Sequence, residues 1–115
     1  LGRGCKGGNA APCGFLAYEV AEGGVAPQKP SSALALAKRA CLGDWADGCL
    51  LEAALVSDVA GCKAEMSKVS KDVGDGFEVD KICSEESLAQ VPDDAAAAKK
   101  SRAKACALGS CGSPP

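Results

Sequence analysis

Cys5, Cys13, Cys41, Cys49, Cys62, Cys83, Cys106 and Cys111 are the residues of this 115-residue chain whose type and spacing most plainly imply chemistry. Thiols in proteins ligate metals, exchange electrons or cross-link the chain. Zinc sites pair their ligands as Cys-x-x-Cys or recruit His, and this sequence has neither that spacing nor any His. Thioredoxin-type exchange needs the same missing motif. Disulfides are therefore the better reading, with no metal and no cofactor expected. The spacings favour local pairs: Cys5 with Cys13, Cys41 with Cys49, Cys62 with Cys83 and Cys106 with Cys111. Loops this short are each worth about 2.5 to 3.5 kcal/mol in the chain-entropy account. Such bridges imply an oxidising compartment: an organelle lumen, the mitochondrial intermembrane space, a periplasm or the extracellular space. The chain opens at Leu1 without a Met, which suits removal of a targeting segment.

The other chemical candidates are weaker. Gly2-Arg3-Gly4-Cys5-Lys6-Gly7 matches the dinucleotide glycine pattern, but that pattern works only between a strand and a helix, and only Leu1 precedes it. A turned or flexible terminus is the better account. Ser101-Arg102-Ala103-Lys104 has the Ser-x-x-Lys spacing that places an amine one helical turn from a nucleophilic hydroxyl. No Ser-Asp-Asn or Lys-Thr-Gly partner accompanies it, so a solvated helix face is expected. Asp75, Glu78, Asp80, Glu85 and Glu86 form an acidic group without the ordered spacing of a calcium loop. No catalytic constellation emerges, and the chain reads as a non-enzyme.

Composition narrows the partners. A net charge of -2 leaves no basic footprint for nucleic acid. No apolar run is long enough to span a bilayer, although a place at the periphery of a membrane complex stays open. Aromatics are only 3% of the residues, so large core anchors are scarce and disulfides must supply much of the stability. One small domain over residues 1–115 is expected.

The elements that would position the cysteines are helices. Residues 1–13 read as the stub of a helix and its turn. A helix over 14–22 carries Phe15, Leu16 and Tyr18 and ends at Gly23 and Gly24. A loop with Pro27 and Pro30 follows. Ser31 or Ser32 should cap a helix running to Leu42, with Ala33, Leu34, Leu36, Ala37, Ala40 and Cys41 on one stripe. Gly43 is expected to take the left-handed conformation that closes it, and Asp44 to cap the next helix, over 45–59. Asp47 falls in the first turn of that helix, where its charge suits the dipole. Cys41 and Cys49 would then face each other across the turn. Cys5 and Cys13 show the same spacing, and the second pair is offset from the first by 36 residues. Two helices of about 12 to 15 residues with two turns make one stacking unit of that period. Residues 61–92 look like an insertion, with a polar helical piece over 63–71, a Gly74-Asp75-Gly76 turn and a short segment capped by Ser84. A terminal helix within 93–109 ends at Gly109, and 110–115 form a tail.

Lys38-Arg39-Ala40-Cys41, Leu42-Gly43-Asp44 and Gly48-Cys49 together resemble the cysteine-paired Sel-one-like repeats, relatives of the tetratricopeptide repeats. Tyr18-Glu19 and Gly24-Val25 look like the end of that family's second helix and the following loop. The likeness covers about half the chain. Ala37 stands where the family has an aromatic, Tyr18 falls two residues early, and the segment from Gly61 has no counterpart. The resemblance implies an adaptor or assembly factor of a secretory, periplasmic or mitochondrial compartment.

The fold expected is all-α: disulfide-stapled αα-hairpin repeats over 1–60 with an inserted loop. The function expected is a non-enzymatic accessory subunit that docks on a larger assembly, a membrane-protein complex being one version. Its contact surface would combine Phe15, Leu16, Tyr18, Trp45 and Leu50 with Val25 and Pro27. A secreted disulfide-rich toxin or inhibitor, or a repeat-protein hydrolase, is the alternative.

Overall fold

A computed structural model describes residues 10–23, 30–89 and 91–110. All regular structure among them is helical: α1 (Ala10–Ala21), α2 (Pro30–Leu42), α3 (Ala46–Leu55), α4 (Val59–Met66), α5 (Lys71–Gly76), α6 (Val79–Ile82), α7 (Glu85–Leu88) and α8 (Ala95–Ala107). Of the stub expected at 1–13, residues 10–13 belong to α1 and residues 1–9 lie outside the described residues, as do 24–29 and 111–115. Cys41–Cys49 and Cys62–Cys83 are bonded as their spacing predicts, with Cα–Cα separations of 4.5 and 5.6 Å. Cys13 and Cys106 are disulfide-bonded too. The expected partners Cys5 and Cys111 lie outside the described residues.

α3 is the hub. It packs against α1, α2, α4 and α8, and eight of its ten residues are buried, from Asp47 to Leu55 with only Glu52 excepted after the first residue. A helix enclosed on all sides needs no polar face, which is why its sequence is apolar nearly all round. Its neighbours come close because the facing side chains are small. Gly48 lies against α2, where an added Cβ would stand 2.6 Å from the Ala40 Cβ and 3.2 Å from the Cys41 nitrogen. That approach, together with the turn before it, brings the Cys41 and Cys49 backbones together.

The turn differs from expectation by one residue. The Trp45 amide donates to the Ala40 carbonyl at 3.0 Å, and the Asp44 amide to the Cys41 carbonyl at 3.0 Å. This is the double hydrogen bond of a Schellman ending, whose left-handed residue is Asp44, at φ 65°, and not Gly43. Asp tolerates this region better than most residues, so no glycine is required there. Asp44 is consequently past the cap. Trp45 occupies the N-cap of α3 without a side-chain bond, and the Asp44 carboxylate instead reaches Lys104 of α8 at 3.4 Å. α2 likewise starts at Pro30, which places Ser31 and Ser32 within the helix and not ahead of it. Proline's fixed φ and missing amide suit that first position. α1 starts at Ala10, four residues ahead of the expected 14, with Pro12 in its first turn.

The helix expected to run to 59 stops at Leu55. Asp58 accepts from the Gly61 amide at 2.8 Å and caps α4, so the chain turns there. The segment expected as an inserted loop is helical and contributes to the core: Met66, Val73, Ile82 and Leu88 join the main buried cluster with Tyr18, Leu50, Leu51 and Leu55. Gly74, Asp75 and Gly76 fall within α5 and do not form a turn. Ser84 caps α7 through Ser87, as its position before Glu85 predicts. Asp94 caps α8 by accepting from Ala97 at 3.0 Å while its own amide donates to Val56 at 2.8 Å. Gly109, at φ 104°, closes α8.

Candidate interaction surface

Phe15 and Tyr18 stand three apart on α1 and share one face. On that face the fold gathers all four aromatic side chains of the protein. Phe15 lies 5.2 Å from the Trp45 ring and 6.3 Å from Phe77, while Tyr18 stacks on Phe77 at 5.3 Å and meets Trp45 edge-on at 6.2 Å. These spacings fall in the range where aromatic pairs add to simple burial. Gly14 makes the arrangement fit, because any Cβ there would overlap the Trp45 ring. Tyr18 is sealed beneath the cluster, Trp45 and Phe77 are half-buried, and Phe15 stays 41% exposed.

Beneath the rings lies a polar knot. The Tyr18 hydroxyl donates to the Asp47 backbone carbonyl at 2.7 Å. The Asp47 carboxylate accepts from the Ser70 amide at 3.1 Å and from the Ser70 hydroxyl at 2.6 Å. Ser70 stands at the N-cap of α5 without a side-chain cap bond, and its hydroxyl donates to Asp47. Asp47 thus joins α3 to α5 and, through its carbonyl, to α1. Expected as a helix-dipole partner, it is buried at 7% exposure and tied to a residue 23 positions away.

Burial pushes the Tyr18 phenol well above its ordinary value, and the nearby Asp47 charge pushes it further. The folded chain therefore holds the neutral phenol. Stability is fully present below the unfolded value of about 10 and declines as pH rises past it, because the unfolded chain ionises first. Tyr18→Phe should remove that alkaline decline while lowering stability at neutral pH by about 1 kcal/mol for the lost hydrogen bond. Thermal melts of the two proteins across the alkaline range check both signs.

A second buried carboxylate belongs to Glu65 on α4, 2% exposed. Arg102 of α8 contacts it through Nε, and Lys68 donates to it at 3.1 Å. Such a group must be paired to stay charged inside a protein. Both cations are accounted for by the carboxylate, so the trio fastens α4 to α8.

No family model, curated protein or solved structure matches this chain.

Of the residues expected at a contact surface, Phe15 is exposed, and Leu16 and Trp45 are half-buried. Tyr18 and Leu50 are corrected: both are fully buried, Tyr18 because its hydroxyl reaches α3 and Leu50 because α3 is enclosed. Val25 and Pro27 lie outside the described residues. The Gly2 to Gly7 pattern does too. The pair Ser101 and Lys104 lies on α8 with Ser101 buried and Lys104 turned to Asp44. Asp75, Glu78, Asp80, Glu85 and Glu86 are exposed; Glu78 meets Lys81 at 3.1 Å and Asp80 meets Lys63 at 3.9 Å. Surface pairs of this kind contribute little. Among the described residues no cluster of acidic groups and thiols is placed to hold a metal ion, and no helix is long and apolar enough to cross a membrane.

Phe77, Ser70, Glu65 and Arg102 were not singled out in the sequence. Their partners lie far along the chain, at separations of 23 for Ser70 and 37 for Arg102, and no local pattern carries such a signal.

Proposed function

We propose that this chain is a non-enzymatic docking module, an accessory subunit that holds to a larger protein assembly in an oxidising compartment. The observation that carries this reading is Phe15. It is the one ring of the aromatic set left open, and Trp45 and Phe77 hold it from beneath. A supported, exposed ring offers apolar area to a protein partner at little cost in ordering. The repeat architecture belongs to the same reading. The α2–turn–α3 hairpin stapled by Cys41–Cys49, with α1 packed on α2 ahead of it, is what one Sel-one-like unit and the end of a preceding one would give. The paired cysteines support an organelle lumen, intermembrane space, periplasm or extracellular setting, including the edge of a membrane complex.

The experiment is purification from the natural source without reductant, beside a Phe15→Asp variant. The parent should migrate in a complex larger than itself and, once isolated, bind a hydrophobic dye. Phe15→Asp should release it from the complex with its disulfides intact. A dye-negative parent that is monomeric in its natural source overturns the reading and favours a secreted toxin or inhibitor.

A further inference from the structure

A groove of about 350 Å³ runs between α2, α3 and α8, on a different part of the surface from the Phe15 ring. Cys41, Leu42 and Ala97 supply its apolar lining, and Lys38, Lys100 and Lys104 line it as well. Leu42 is the most exposed large apolar side chain among the described residues, at 78%. Neither α2 nor α8 contains a single acidic residue. Lys38 and Lys100 form no ion pair among the described residues, and only Lys104 is answered, by Asp44. Against these cations stand Glu52, the lone carboxylate lining the groove, and the end of α2, worth about half a negative charge. The balance is positive around an apolar strip.

We propose that this groove receives an acidic amphipathic segment of a partner protein. The inference rests on the docking reading above and names the chemistry of the segment. An apolar side chain of the segment covers Leu42 and Ala97, while its carboxylates meet Lys38 and Lys100. The lysine stems add apolar area beside these residues, so the segment need not leave its charges dry. Charge complementarity of this kind chooses the partner and speeds its approach. A lipid surface fits less well, because a concave strip with a single protruding leucine offers no broad apolar face to a bilayer.

The test uses the full oxidised chain and two synthetic helical peptides with identical leucine positions, one filled with Glu and the other with Lys. Fluorescence anisotropy should show binding of the Glu peptide alone, weakening as salt is raised. The double variant Lys38→Glu with Lys100→Glu should lose at least about tenfold in affinity, and Leu42→Ser should weaken binding as well. Both lysines are exposed, so circular dichroism of the double variant should match the parent. Equal binding of the two peptides, or binding indifferent to the charge reversal, overturns the proposal. So does preferential binding to phosphatidylglycerol vesicles, or self-association that the double variant abolishes, since the occupant is then a membrane or a second copy. If the Glu peptide fails while native complexes still depend on Phe15, the groove is wrong and the docking reading stands. If the peptide binds and Phe15→Asp changes nothing in the native source, the reverse holds.

Discussion

Reducing the disulfides under otherwise native conditions should unfold this protein at room temperature. A bridge with a sequence separation of 8, Cys41–Cys49, contributes about 2.5 kcal/mol in the chain-entropy account. One with a separation of 21, Cys62–Cys83, contributes about 3.3 kcal/mol. Their sum of about 6 kcal/mol reaches into the whole stability of an ordinary small domain, about 5 to 15 kcal/mol. The bonds at Cys13 and Cys106 add to it. The core has little with which to replace them. Much of it is alanine, at Ala17, Ala21, Ala33, Ala37, Ala40, Ala53, Ala54, Ala98 and Ala105, and alanine removes little apolar area from water. Loss of the helical circular-dichroism signal, timed against thiol release, is the measurement. A full helical signal with every thiol titrated would mean that packing alone suffices. The two bridges should also differ. Cys62→Ala with Cys83→Ala should cost more than Cys41→Ala with Cys49→Ala. The first pair closes the longer loop and holds α4 to the end of α6, whereas α2 and α3 are already joined by a hydrogen-bonded turn and the Gly48 contact.

What could be read in the sequence was what short range determines. Ser84 before Glu85 and Gly109 after a basic helix each signal a helix end through groups only a few residues apart, and each does so in the structure. Both described disulfides were legible for the same reason, since each closes a short loop. The miss at Gly43 was local but narrow. Leu42 is still helical, which moves the left-handed residue to Asp44 and takes the carboxylate from the cap to Lys104. The larger misses are long-range. Nothing near Asp47 announces Ser70, and nothing near Glu65 announces Arg102; each pair is brought together by helices far apart in the sequence. The same enclosure hides Tyr18 and Leu50, which look like surface residues while their helices are considered one at a time. The segment after Gly61 misled because it is polar overall. Its few apolar residues, Met66, Val73, Ile82 and Leu88, fall on the inward side of four short helices and close the core from below.

Filling Gly14 should damage the protein more than any other single substitution on α1. The aromatic cluster is built on the absence of a side chain there: a Cβ would stand 1.9 Å from a carbon of the Trp45 ring, so even alanine cannot be accommodated without moving it. Alanine and leucine are both better helix formers than glycine, by about 1 kcal/mol in the helix interior. Local propensity therefore predicts stabilisation, and tertiary packing predicts the opposite. Packing should win. Expelling Trp45 strips its contacts with Phe15 and Tyr18, exposes the roof of the Asp47 knot and pulls on the α2–α3 turn, where Trp45 stands at the N-cap. Forced overpacking with loss of a large aromatic contact costs about 3 kcal/mol. Gly14→Leu should therefore lower the thermal midpoint steeply, and Gly14→Ala should lower it less. Trp45 is the only tryptophan in the chain, so its emission reports the displacement directly. A red shift to the solvent-exposed value in folded Gly14→Leu is the expected result. An unshifted emission maximum with unchanged stability would show that Trp45 does not rest on α1, and the support argued for Phe15 would fall with it.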